Sequence, residues 1–221
     1  MNMSTELHPK RFFIRDAAAK WLRKWEFGEP VVVVSGLPRS GTSMVMKMLA
    51  AGGMQILTDH ERRADEDNPE GYYEHTRVKN LGADPDKSWL REARGKALKV
   101  ISHLIKDLPA DNYYRVILVR RDLQEVLASQ NIMLTRRMQP NPIADAEALE
   151  LYRKHLHSTV LYAQGRTNME LLQLNYHEVV RDSQASAQQI NRFVDHKLDA
   201  TSMAAVVNER LYRNRNPQAS A

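Results

Sequence analysis

Short, uninterrupted apolar runs recur along the chain and predict its strands. The first is four valines in a row, at residues 31–34. A β-branched run without polar positions is typical of a strand buried on both faces of a parallel sheet. Similar runs begin near positions 97, 115 and 170, and helix-like stretches separate them. This alternation predicts an α/β fold of three layers, a central parallel sheet with helices on both faces.

Apolar residues at helical spacing predict the connecting helices. Residues 11–27 place Trp21 and Trp25 four positions apart among basic residues, which favours a helix that packs on the sheet over one that lies on a membrane. Gly52 and Gly53 supply the stop signal of a helix that begins at Thr42. The other predicted elements are a short strand at 54–57, a helix at 145–165 and a last helix at 201–212.

A glycine-rich loop, SGLPRSG, joins the valine strand to the next helix. The first amides of a helix have no partner inside it and the helix dipole adds positive charge, so phosphate or sulfate is the expected occupant. The spacing from Gly36 to Gly41 matches the phosphate-binding loop GxxxxGK[ST], and Ser43 keeps the hydroxyl position. Thr42 replaces the lysine, while Arg39 supplies a cation within the loop. The missing lysine argues against ordinary ATP chemistry.

The run that begins near position 115 ends in arginine. Arg121 follows the strand, Asp122 and Glu125 fit a capping box at a helix start, and Ser129 comes eight residues after Arg121. An arginine fork grips two phosphate oxygens, and a serine two helical turns later can donate a third hydrogen bond. A Walker B strand would end in an acid that holds magnesium. The cationic end therefore favours a phosphate site without a metal.

Composition narrows the classes of protein. A chain of 221 residues, 43% hydrophobic and 27% charged, suits one α/β domain over residues 1–221. The net charge of +5 favours anionic ligands, but no nucleic-acid motif is present, so we expect no nucleic-acid partner. The absence of cysteine excludes disulfides, thiolate metal sites and a cysteine nucleophile. With no apolar run of about 18 residues and no signal-like N-terminus, a cytoplasmic protein without a membrane span is expected.

The two phosphate motifs resemble those of the sulfotransferases that use 3'-phosphoadenosine 5'-phosphosulfate (PAPS), a family with a P-loop NTPase-like fold. The family's 5'-phosphosulfate loop reads PKSGTT or PRSGTT, and its 3'-phosphate motif reads VxRDxxxVxxS. A later segment resembles the family's Y-E-D-L, whose tyrosine lies beside adenine. The resemblance implies PAPS as cofactor, adenosine 3',5'-bisphosphate (PAP) as product and no required metal. The implied cofactor-binding residues are Pro38, Arg39, Ser40, Gly41, Thr42, Ser43, Arg121, Ser129 and Tyr176.

The resemblance leaves the catalytic base open. In the tyrosylprotein branch the base is a glutamate in an E-T-R run after the loop, and the same separation from Arg39 reaches His60, with Glu61 beside it. In members that act on small hydroxyl acceptors, a K-T-H-L-P segment carries a catalytic histidine, and the segment around His103 resembles it. A histidine that only caps a strand end is the alternative for His103. Arg39 is expected to stabilise the leaving phosphate.

Several alternatives remain at this level. The predicted activity is transfer of a sulfuryl group to a hydroxyl or amine of a small molecule, peptide or carbohydrate. One rival is a nucleotide-binding protein that kept the anion site and lost the base; another is a P-loop nucleotide kinase or NTPase with a degenerate loop. The oligomeric state stays open. Residues 68–74 resemble an NPxGYxE stretch of bacterial members, suited to lining an acceptor pocket or packing a lid.

Overall fold

Four parallel strands form one sheet in the part of the chain that the structure, a computed structural model, describes: residues 21–59, 71–141, 143–195 and 198–208. The valine strand at residues 31–36 is an inner strand and pairs with a neighbour on each side, so that Val34 lies beside Lys99 and Ile117. All four predicted strands are confirmed. They are β1 (Val31–Gly36), β2 (Ala97–Lys99), β3 (Tyr114–Arg120) and β4 (Met169–Asn175), in the order β2-β1-β3-β4.

Helices connect the strands. Residues 21–27 are helical (α1), whereas residues 11–20 of that predicted helix lie outside the described part. The predicted strand at 54–57 is reduced to a single bridge from Ile56 to Ala97. The last predicted helix is shorter, with residues 206–208 already non-helical. The helices are α2 (Thr42–Ala51), α3 (Thr76–Lys79), α4 (Leu123–Arg136), α5 (Asp145–Gln164), α6 (Tyr176–Arg181), α7 (Ser183–Val194) and α8 (Ala200–Ala205), with 3₁₀ helices at Ser88–Ala93 and Ser102–Asp107.

The sheet is buried on both faces, which confirms the predicted three layers. Val32 and Val34 pack with α2, α6, α7 and α8, while Val31 and Val33 pack with the two 3₁₀ helices, Val78 of α3 and Ala163 of α5. All four valines are fully buried. Complete burial of such a side chain contributes about 1.5 kcal/mol or more. Across the described ranges, no helix is both long and apolar enough to cross a membrane.

A third apolar cluster lies at the carboxyl edge of the sheet, over the glycine-rich loop. Leu37 of the loop packs against Val126 of α4 and Leu156 of α5. Parallel strands all end at this edge, so the residues after β1, β2 and β3 meet there. The candidate functional site lies at this edge.

Candidate functional site

The glycine-rich loop adopts backbone angles that only some residues tolerate. Gly41 precedes α2 with φ +99°, and Arg39 is left-handed at φ +71°. A Cβ on Gly36 would lie 2.4 Å from the Ser40 Oγ and 2.7 Å from the carbonyl oxygen of Val119. Gly36 is therefore needed for the loop to close against the end of β3. A non-glycine residue in the left-handed region is typical of a functional loop.

The loop has the features of an anion site. The residue before α2 is a glycine, which has no side chain of its own to cap the first amides of this helix. Ser40 is 1% exposed, and its Oγ has no hydrogen-bond partner within the described ranges. An unpaired buried hydroxyl costs about 1–3 kcal/mol. A phosphate or sulfate in the loop would accept from both this hydroxyl and the helix amides, so the residues present fit such a group.

Arg39, Arg121 and Ser129 come together across 82 and 90 positions of sequence. Arg121 Nη1 donates to the carbonyl oxygen of Arg39 at 3.2 Å. Arg39 Nε donates to the Ser129 Oγ at 3.0 Å. The two arginines expected to bind opposite ends of a nucleotide are therefore in direct contact.

A buried ion pair orients Arg121. Its Nε lies 2.8 Å from the Glu125 Oε2, and the two side chains are 8% and 2% exposed. Asp122 caps α4 by accepting from the amides of Gln124 and Glu125. Glu125 thus donates through its amide to Asp122 and pairs through its carboxylate with Arg121. The pair restricts the guanidinium group to one orientation, which suits recognition of a planar or bidentate anion.

Tyr176 lies between the loop and Arg121. It is the first residue of α6, is 5% exposed and belongs to the apolar cluster around α2. The Arg121 guanidinium carbon is 4.7 Å from its ring centroid. A Cβ on Gly41 would lie only 2.3 Å from the ring Cδ2. Tyr176 therefore supports the loop from within.

A polar cavity of about 420 Å³ opens beside Arg121, at the carboxyl ends of β3 and β4. This volume lies within the range of small-molecule pockets. Amide, carboxylate and guanidinium groups dominate its wall. The lining residues are Arg120, Arg121, Asp122, Gln173, Leu174, Asn175 and Glu178.

A second cation at the loop, Lys99, was not among the residues predicted from the sequence. This residue ends β2, and its side chain is 9% exposed. Its Nζ donates to the Ser43 Oγ at 3.1 Å and to the carbonyl oxygen of Tyr72 at 2.9 Å, and lies 3.5 Å from the Glu74 Oε1. The signal for it was a lysine at the end of an apolar strand, because neighbouring parallel strands end at one edge.

Of the three residues predicted as the catalytic base, the structure describes only His103. His103 is exposed on the second 3₁₀ helix, and no described residue hydrogen-bonds its imidazole. Its neighbour Ser102 is 2.8 Å from the His155 Nε2. Burial, with smaller contributions from His103 and Lys106, lowers the pKa of His155. His60 and Glu61 lie outside the described residues.

Comparison with known proteins identifies one family. The family model described as "Sulfotransferase domain" matches residues 29–216, well over half of the chain. A search of curated proteins finds no significant match.

Solved structures give the same indication of fold. The sulfotransferase domain of the Synechococcus PCC 7002 olefin synthase is 18% identical, with a TM-score of 0.50, and the alignment covers 87% of this chain and 82% of that one. Mouse sulfotransferase SULT7A1, complexed with PAP, is 16% identical (TM-score 0.47; coverage 86% and 68%). A sulfotransferase domain from the curacin biosynthetic pathway is 12% identical (TM-score 0.46; coverage 86% and 92%). At this identity the first match supports a shared fold.

Proposed function

Because the chain belongs to the sulfotransferase domain family, we propose that it transfers a sulfuryl group from PAPS to a hydroxyl or amine acceptor and releases PAP. One observation carries the proposal: Arg39 in the anion loop is hydrogen-bonded both to Arg121, through its carbonyl oxygen, and to Ser129, through its guanidinium group. A nucleotide with anions on both sides of its ribose needs two cationic sites at short separation. The acceptor belongs to the small molecules, peptides or carbohydrates.

The 5' end of the nucleotide would be held by the glycine-rich loop. The first amides of α2, the unpaired Ser40 hydroxyl and the Arg39 guanidinium supply the donors. When bound, PAPS supplies an activated sulfuryl group on its 5'-phosphate. Donors fixed before the reaction stabilise the charge that develops on the leaving phosphate.

The 3'-phosphate would be held by Arg121 and Ser129. Arg121 is oriented by Glu125, and the Ser129 hydroxyl is the acceptor for Arg39 Nε. A hydroxyl can donate and accept at the same time, so Ser129 can donate to a phosphate while it still accepts from Arg39. The neighbouring cavity offers polar partners for the rest of the nucleotide.

Two features support a reaction without magnesium. In P-loop NTPases the hydroxyl at the Ser43 position contacts Mg²⁺. Here that hydroxyl accepts from the Lys99 ammonium group, which also supplies the cation missing at Thr42. The end of β3 carries arginines where an NTPase has a metal-binding acid. These features favour a sulfotransferase over a nucleotide kinase.

Calorimetry with PAP and AMP tests the proposal, since the two nucleotides differ only in the 3'-phosphate. A hydrogen bond to a charged group contributes about 1.5–3 kcal/mol, so Arg121→Ala should weaken PAP about 10- to 100-fold and AMP by less than about threefold. Arg153→Ala, which removes an exposed cation of α5, controls for net charge and should change neither.

Two results would contradict the proposal. One is equal loss of PAP and AMP affinity in Arg121→Ala. The other is a wild-type preference for magnesium-ATP over PAP, which would favour a kinase. A protein that binds PAP but transfers nothing, even with a broad set of acceptors, would instead be the inactive nucleotide-binding rival.

A further inference from the structure

Glu74 is a carboxylate that Lys99 links to the hydroxyl of the anion loop. Its Oε1 is 3.5 Å from Lys99 Nζ, which is itself 3.1 Å from the Ser43 Oγ. The carboxylate is thus no farther from Ser43 than these two distances together. Its side chain is 22% exposed, so it is largely enclosed but can still be reached from solvent. A base for an incoming acceptor needs both properties.

Hydrogen bonds fix the backbone on both sides of Glu74. The Thr58 Oγ1 donates to the carbonyl oxygen of Glu74 at 2.7 Å, and Lys99 Nζ donates to that of Tyr72 at 2.9 Å. The amide of Thr76 donates to the Asp59 carboxylate. The partners come from two separate segments, residues 58–59 and the end of β2, so the position of Glu74 is set by tertiary structure.

Among the described residues, two positive charges face the Glu74 carboxylate. Lys99 of β2 lies beside Oε1. The Nζ of Lys79, which is the last residue of α3, lies 3.9 Å from Oε2. Lys99 is largely buried, whereas Lys79 is exposed at 56% of its side chain. Lys99 therefore fixes the carboxylate beside the loop, and Lys79 adds a weaker, solvent-screened attraction. By comparison, the exposed His103 imidazole has no described group to orient it.

Resting on the proposed sulfotransferase function, we propose that Glu74 is the base that accepts the acceptor's proton and that Lys99 is its positioning residue. The acceptor O–H or N–H gives its proton to the Glu74 carboxylate while the lone pair of the acceptor oxygen or nitrogen forms the new bond to sulfur. The bond from sulfur to the 5'-phosphate oxygen breaks, and its electron pair leaves with that oxygen. Lys99, between the carboxylate and Ser43, stays protonated throughout.

Separate measurements of PAP binding and of sulfuryl transfer distinguish the role of Glu74 from that of Lys99. General-base catalysis contributes about 10²–10⁴-fold, so Glu74→Gln should lower transfer of the labelled sulfuryl group from [³⁵S]PAPS to water and to 4-nitrophenol at least about 100-fold. The same variant should bind PAP as tightly as wild type or more tightly in calorimetry, because Lys99 is no longer neutralised. Lys99→Met should weaken PAP binding about tenfold, through loss of a charge-assisted contact.

Matched controls and a rescue experiment distinguish a base from a structural residue. Two control variants remove the same charges elsewhere and should behave as wild type: Glu92→Gln at an exposed position and Lys96→Met just before the amino end of β2. Added formate should restore part of the transfer to Glu74→Ala and none to Lys99→Met. His103→Ala should keep wild-type rates. Melting temperatures near wild type show that the variants fold, and Glu74→Asp provides a second, milder variant.

The outcomes for the two proposals are distinct. If the wild-type protein does not bind PAP, the proposed function itself is wrong. If it binds PAP while Glu74→Gln transfers at the wild-type rate, or while His103→Ala alone abolishes transfer, Glu74 is not the base and the proposed function stands. Wild-type protein that binds PAP but neither hydrolyses nor transfers would also overturn the assignment of Glu74.

Discussion

Substitution of Gly41 by alanine tests how the loop is supported. The new Cβ would lie 2.3 Å from the Tyr176 Cδ2 and 2.6 Å from its Cε2, whereas ordinary contacts begin near 3.4 Å. Tyr176 is 5% exposed and packed in the core, so its ring cannot swing into solvent. Either the loop or α6 must move, and the anion site is distorted in both cases.

The expected cost has two parts. A non-glycine residue at φ +99° pays about 1–2 kcal/mol for left-handed backbone, and overpacking of a filled site adds about 1–3 kcal/mol. Gly53 provides the matched control, since it has φ +98° and no atom lies within 4 Å of the place that a Cβ would occupy. Gly53→Ala should therefore show the backbone cost alone. The difference between the two variants isolates the clash with Tyr176.

Urea unfolding measures both variants. With a slope of about 2 kcal/mol/M, a difference of about 2 kcal/mol corresponds to a midpoint shift of about 1 M. Gly41→Ala should also lose PAP binding, while Gly53→Ala keeps it. In a Tyr176→Ala background, the added cost of Gly41→Ala should fall to that of Gly53→Ala, because contacting residues are not additive. Equal costs for the two glycines in the wild-type background would refute the reasoning.

Three further predictions concern parts outside the loop. Arg115→Met removes a buried guanidinium group at the amino end of β3 from its ion pairs with Glu170 and the half-exposed Asp195, and should cost roughly 1–3 kcal/mol in urea unfolding without changing PAP affinity. Burial lowers the pKa of His155 below 6.5, so stability should fall as pH drops from about 7 to about 5; His155→Gln should flatten this dependence, and an unchanged slope would contradict it. Asp122→Ala removes the cap of α4 and should cost about 1 kcal/mol.

The sequence was most informative where structure is local. Thr42 begins α2 and Gly52 ends it, as the loop and stop signals predict, because helix boundaries depend on residues a few positions apart. The spacing of Arg121 and Ser129 is likewise local, because Arg121 follows the end of β3 and Ser129 comes about two helical turns later in α4. Their proximity to Arg39 follows from the parallel arrangement of β1 and β3, which the buried apolar runs predict.

The remaining site residues depend on tertiary packing that no local pattern specifies. Glu74 stands in a polar stretch full of carboxylates, and only the pairing of β2 with β1 shows that Lys99 reaches it. Tyr176 was expected beside adenine by resemblance, and the sequence contains no indication that its ring packs on Gly41. The Ser102–His155 pair joins residues 53 positions apart on different elements, so it was also beyond prediction.

The alignment of β2 beside β1 has a consequence for folding accuracy. Ala97 packs on the α2 side of the sheet, whereas Leu98 and Val100 pack on the opposite side. Sliding β2 by one residue would exchange these sides, and would drive the Lys99 ammonium group into an apolar layer with no carboxylate. An unpaired charge there costs several kcal/mol. Lys99, the cation at the anion loop, thus also disfavours a misaligned β2 while the chain folds.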